Sequence, residues 1–220
     1  MSQPPAITLF HVHKDAMNAA VAAFDQDWPE ARISNILDDG LFAWVNEAGG
    51  VVPEMFDAFH RLTAYAVDRG AEGIVFSCSA FRECIDSCAA TFDRPILGPN
   101  EAMIEAALEA GPRIGVLATV APTIPSISAE IEEKARQTGR NVTLSACYVE
   151  NAFAAMAAGD GEAHDRMVAD AAAKVTNVDV IVLAQFTLSR AAPAVAQATD
   201  IPVLNSPGAA VEKMRTLLSG

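Results

Sequence analysis

Short apolar runs alternate along this chain with longer stretches whose apolar residues recur at helical spacing. The runs Ile7-Thr-Leu-Phe10, Ile74-Val-Phe76, Ile114-Gly-Val-Leu117 and Ile181-Val-Leu183 read as strands of a parallel sheet covered on both faces. Strands are expected near residues 6–12, 32–37, 73–78 and 95–98, and again near 113–119, 141–147, 178–184 and 202–205. The segments between them end on Gly70, Gly111-Pro112 and Gly139, residues that stop helices. Pro53 stands where a helix bearing Phe56 and Phe59 could begin. The last segment, Gly208 to Leu218, reads as a helix that returns to the first half.

The pattern occurs twice. Ile74-Val-Phe-Ser-Cys-Ser-Ala-Phe81 aligns with Ile181-Val-Leu-Ala-Gln-Phe-Thr-Leu188, an offset of 107 residues, and the same offset places Ile7 on Ile114. Two distant segments sharing one offset indicate a duplicated β-α-β-α-β-α-β unit. The expected fold class is α/β, two pseudo-symmetric Rossmann-like half-domains with parallel sheets and a cleft between them. The first comprises 1–98 plus 206–220 and the second 99–205. In such sheets ligands bind beyond the carboxyl ends of the strands, which makes the turns at Ser77-Cys78-Ser79 and Ala184-Gln185-Phe186-Thr187 equivalent candidate positions.

Composition narrows the function. Hydrophobic residues form 51% and charged residues 20% of the 220, as in a folded globular protein. The net charge of −13 has no basic cluster to set against it, so nucleic acid is not an expected partner. No apolar run reaches membrane-spanning length, and the start lacks the basic and apolar regions of a secretory signal. A cytoplasmic protein without membrane attachment is expected. A homo-oligomer is an ordinary assembly for such a chain, and the sequence does not decide it.

Of the four cysteines, Cys78 closes a buried strand just before a helical segment starting near Ala80, where unpaired N–H groups would favour thiolate. Cys84 and Cys88 share the apolar face of that helix with Phe81, Ile85 and Phe92, and read as core, as does Cys147. His11 and His13 flank Val12 at the end of the first strand. A third metal ligand is not evident, so His11 is taken as a polar lining residue and no metal site is expected. His60 and His164 read as surface or half-buried. Arg113 and Arg140 precede strands and fall at the opposite end from the candidate site. Ser77, Ser79, Thr119, Thr123 and Thr187 gather hydroxyls at the candidate end, where with turn N–H groups they could hold a carboxylate or an enolate-like oxyanion.

The duplicated halves resemble the aspartate/glutamate/hydantoin racemase superfamily, which includes arylmalonate decarboxylase and maleate isomerase. The residues that carry the likeness are the Ser-Cys-Ser turn after Gly73-Ile-Val-Phe76, the Arg113-to-Thr119 strand and the Val182-to-Thr187 segment. The resemblance implies cofactor-independent chemistry at the carbon next to a carboxylate, with a cysteine from each half facing the substrate in the two-thiol racemases. Cys78 matches the first-half thiol; Gln185 stands where the second would be. Thr119 matches a threonine expected near the substrate carboxylate. Ser79-Ala80 replaces the Asn-Thr that commonly follows the first cysteine, and His11-Val12 replaces Asp-Ser. The expected site is therefore Cys78 as the catalytic group, with His11, Ser77, Ser79, Ala80, Thr119, Gln185 and Thr187 binding a small carboxylate and no cofactor. The reaction would be racemase- or isomerase-type. A single-cysteine decarboxylase and a non-catalytic carboxylate-binding protein are the alternatives.

Overall fold

The structure is a computed structural model and describes residues 4–219. It divides into two compact units, one running to Glu101 and resuming at Ala210, the other spanning Ala102–Ala209. In the first, β1 (Ala6–His11), α1 (Lys14–Asp27), β2 (Arg32–Leu37), α2 (Gly40–Ala48), α3 (Pro53–Asp68), β3 (Gly73–Phe76), α4 (Arg82–Thr91) and β4 (Ile96–Leu97) follow one another. The chain continues through α5 (Glu101–Ala110) into the second series. This is β5 (Arg113–Ala118), α6 (Thr123–Gln137), β6 (Thr143–Tyr148), α7 (Ala152–Ala157), α8 (Gly161–Ala172), β7 (Val180–Leu183), α9 (Ala192–Ala198), β8 (Val203–Asn205) and α10 (Ser206–Ser219).

Each unit holds a four-stranded, all-parallel sheet, in the orders β2-β1-β3-β4 and β6-β5-β7-β8. The repeat extends to single hydrogen bonds. Glu72 N–H donates to the Ala6 carbonyl and its carboxylate accepts from Ala6 N–H; Asp179 does the same with Arg113, and both pairs carry the offset of 107. Pro95 and Pro202, likewise 107 apart, offer their carbonyls to Ile74 and Ile181.

Burial explains which strands form. β3 and β7 are buried throughout, as are β1 and β5 apart from their first residues, and all are rich in Ile, Val, Leu or Phe. The first core adds stacked rings, with Phe10, Phe59, Phe76 and Phe81 at centroid separations of 4.9 to 5.6 Å; the second is aliphatic, one cluster on each face of the sheet. Two expectations change. β2 and β6 are open edges with exposed or half-buried residues along their length, not strands covered on both faces. The region between β2 and β3 breaks into two helices, the second opening on Pro53 at its first position. The chain's final helix does return to the first unit: Met214 is fully buried against Gly73, and the Arg215 guanidinium lies 5.4 Å from the Trp28 ring.

Candidate active site

In each sheet the strand order reverses between the first and third strands, and the crevice beyond their carboxyl ends is where open α/β sheets take ligands. In the first unit that point lies between the ends of β1 and β3, where Phe10 pairs with Phe76 and the next residues are His11 and Ser77. In the second it lies between β5 and β7, followed by Thr119 and by Ala184-Gln185.

His11 is fully buried. Its Nδ1 is 2.9 Å from the Ser77 hydroxyl and its Nε2 is 3.0 Å from Asn35 Oδ1, while Ser77 Oγ also lies 3.2 Å from the Phe10 carbonyl. Burial pushes the imidazole below its ordinary pKa, against the hydrogen bond to Asn35. Both ring nitrogens are thus engaged within the protein, and His11 reaches the next turn through Ser77. His13, beyond the strand, is exposed and packs edge-on against Phe42 at 4.5 Å, so the two histidines do not share a site. Asn35 is not among the residues the sequence singles out; its signal is the polar Ser34-Asn35 pair between Ile33 and Ile36.

Cys78 follows in extended conformation and is half-buried, with Ser79 and Ala80 exposed beside it. The expected helix does not start here. A single 3-10 turn, Ser79–Phe81, intervenes before α4, so the thiol lacks the full dipole of a regular helix. Burial pushes the Cys78 thiol up, and a hydrogen bond from the Ala80 backbone N–H only partly opposes it. Burial therefore favours the protonated thiol, against the thiolate expected from sequence. Cys84 and Cys88 are fully buried, and burial with neighbouring negative charge pushes Cys84 up to about 11.

Gln185 occupies the corresponding place in the second unit, extended and half-buried before the 3-10 turn Phe186–Ala191. Its Oε1 accepts from the Thr119 backbone N–H at 2.7 Å and from the Thr119 hydroxyl at 3.1 Å. Because a backbone N–H can only donate, the amide orientation is fixed. Thr187 is half-buried in the same turn and Thr119 is buried. The turn is braced by Arg190, whose guanidinium grips Asp165 of α8 at 2.9 and 3.0 Å; His164, buried rather than at the surface, sits 2.8 Å from the same carboxylate. Burial pushes the Asp165 carboxyl up, but the hydrogen bonds and charges of Arg190 and His164 bring it below its ordinary value. Arg113, paired with Asp179, lies at the opposite end of the sheet. Among the described residues no three His, Cys, Asp or Glu side chains cluster closely enough to hold a metal ion, and no helix is long and apolar enough to cross a membrane.

Solved structures share this architecture. Allantoin racemase from Klebsiella pneumoniae superposes with a TM-score of 0.71 at 18% identity, covering 98% of this chain and 88% of that one. PH1733, an aspartate racemase homologue from Pyrococcus horikoshii OT3, gives 0.68 at 13% identity over the whole of both chains. Arylmalonate decarboxylase gives 0.63 at 16%, covering 98% and 93%. At these identities the likeness is one of fold. No curated protein matches the chain. The family model for Asp/Glu/Hydantoin racemase matches residues 17–214, and on that match the chain belongs to the Asp/Glu/Hydantoin racemase family.

Proposed function

We propose that the protein is a cofactor-independent enzyme that transfers a proton at the α-carbon of a small carboxylate, with Cys78 as its acid/base group. The single observation that carries this is the Cys78 thiol itself. It stands half-buried at the switch point of its sheet, beside exposed Ser79 and Ala80, with the Ala80 N–H directed to its sulfur. In the first unit Ser79 and Ala80 contact substrate, and His11 acts through Ser77 to fix the turn. In the second, the Gln185 amide NH2 and the Thr187 hydroxyl are the donors suited to a carboxylate or enediolate oxygen, and Thr119, whose N–H and O–H both go to Gln185 Oε1, orients that side chain. In the racemase or isomerase reading, the Cys78 thiolate removes the α-proton, the electron pair passes into the carboxylate, a water molecule returns a proton to the opposite face of the carbon, and the resulting hydroxide takes the proton from the thiol.

A second reading, decarboxylation, is favoured by Gln185 and by the protonated thiol. Two-base racemisation needs a proton-handling group on each face, and an amide is not one. In decarboxylation the bond to the leaving carboxylate breaks as CO₂ departs and the electron pair stays in an enediolate. The Cys78 S–H then delivers its proton to the carbon, and solvent restores the thiol. Here the protonated form that burial favours is the working one.

Incubating a panel of α-substituted mono- and dicarboxylic acids in deuterated water separates these. Deuterium at the α-carbon with inversion marks the racemase; deuterium with stoichiometric CO₂ marks the lyase. Binding of an acid without either product would leave a carboxylate-binding protein and overturn both.

A further inference from the structure

Sheets have two edges, and this molecule's four edges are unequal. β4 and β8 are two and three residues long, too short to recruit another strand. β2 opens on Arg32 and runs into Asp38-Asp39. β6 is six residues long, Thr-Leu-Ser-Ala-Cys-Tyr, without a charge or a proline, and four of the six are exposed. None of the devices that keep an edge strand from pairing is present on it.

The hydrogen bonds to β5 fix which backbone groups face outward. Thr143 N–H donates to Pro112 and Val149 N–H to Ala118, so the odd-numbered residues between them bond inward. Leu144, Ala146 and Tyr148 then turn their N–H and C=O groups to the open edge. Alongside runs a groove of about 640 Å³ between this strand and α8, whose walls include Tyr148 and Met167, 48% and 37% exposed. Charge marks its two ends. Glu150 follows β6 at the carboxyl end of the sheet, and Lys174, just beyond α8, lies at the amino end, with Asp170 a turn before it.

We propose that β6 is a homodimerisation edge, on which the β6 of a second copy pairs antiparallel about a two-fold axis through Ala146. Leu144 then faces the partner's Tyr148 and Ala146 faces its own counterpart, three pairs that exchange about six main-chain hydrogen bonds. The small alanine at the axis leaves the crossing unobstructed. Reversal of direction carries Glu150 of each copy to the end of the other that bears Lys174, so the arrangement is complementary in charge, whereas a parallel partner would set like charges together. Cys147 pairs with the second copy's Ser145 position, a closely spaced non-hydrogen-bonded pair.

Sedimentation and non-reducing electrophoresis of the full chain test this. The wild type is expected to sediment at twice the chain mass at micromolar concentration. Ala146→Pro removes an outward N–H and none of the bonds to β5, and is expected to yield a folded monomer. Should that variant fail to fold, Lys174→Glu is expected to weaken the dimer at least tenfold and Glu150→Lys in the same chain to restore it. Ser145→Cys is expected to give an oxidised, covalently doubled chain that Cys147→Ser abolishes. A monomeric wild type, a dimer indifferent to both Ala146→Pro and Lys174→Glu, or no Ser145→Cys cross-link would each overturn the proposal.

Discussion

Gln185 holds Thr119 by two hydrogen bonds to one oxygen, at 2.7 Å from the backbone N–H and 3.1 Å from the hydroxyl. At the equivalent place in the first unit stands a thiol. The duplicated position has therefore become a hydrogen-bond acceptor that orders its own turn. Replacing it by alanine leaves a buried N–H without its partner, at a cost of about 1–3 kcal/mol. Gln185→Glu keeps both acceptor bonds, now charge-assisted. Urea unfolding is expected to show the loss for Gln185→Ala and near wild-type stability for Gln185→Glu. Equal stability of Gln185→Ala and wild type would contradict the role.

The burial of Cys78 has a kinetic signature. Burial holds the thiol above its ordinary value, so alkylation by iodoacetamide, which needs thiolate, stays slow at neutral pH. In a Cys147→Ser background the rate is expected to climb with a midpoint above about pH 8.5. A plateau already reached at pH 7 would mean an activated thiolate and would favour proton abstraction over proton delivery.

His11 links pH to stability. Its folded pKa lies below the ordinary value because it is buried, so the unfolded chain binds its proton first as the pH falls. The stability that neutral His11 supports is present above about pH 6.5 and is lost on descending from there toward the lowered pKa. His11→Gln removes that proton linkage. Its stability is expected to fall less steeply between pH 6.5 and 5 than the wild type's, and parallel curves would remove the assignment.

Gly73 admits the C-terminal helix. A methyl group there would run into the Met214 sulfur and approach Ile7 Cδ1 to 3.3 Å. Gly73→Ala is expected to destabilise by about 1–3 kcal/mol, the usual scale of overpacking. Combined with Met214→Ala it should cost less than the sum of the two, because the shortened side chain frees the space. Additive losses in thermal or urea unfolding would show that the helix docks without this contact.

Much of this was legible in the chain. The apolar runs and the repeated offset locate all eight strands of the described residues, because buried parallel strands leave little latitude in composition. The edge strands β2 and β6 were placed, but their exposure was not evident, since a mixed run such as Thr143-Leu-Ser-Ala-Cys-Tyr148 fits a covered or an open strand equally. The helix after Cys78 was placed too early because Ser-Ala-Phe suits a 3-10 turn as well as a first helical turn. The burial of His164 is not evident in the sequence because the Asp165 carboxylate beside it is held by Arg190, 26 residues away from His164. Asn35 and His11 lie 24 residues apart and meet only through the pairing of β1 with β2, which no local spacing encodes.

Turnover by a Cys78→Ala variant bears most directly on the account. Once a substrate acid is identified, deuterium incorporation at its α-carbon in deuterated water is to be followed for wild type, Cys78→Ser and Cys78→Ala. Both variants are expected to remain folded and bind the acid, while incorporation falls by about 10²–10⁴-fold, the range for loss of a positioned acid or base. Incorporation by Cys78→Ala at the wild-type rate would contradict it and move the chemistry away from this thiol.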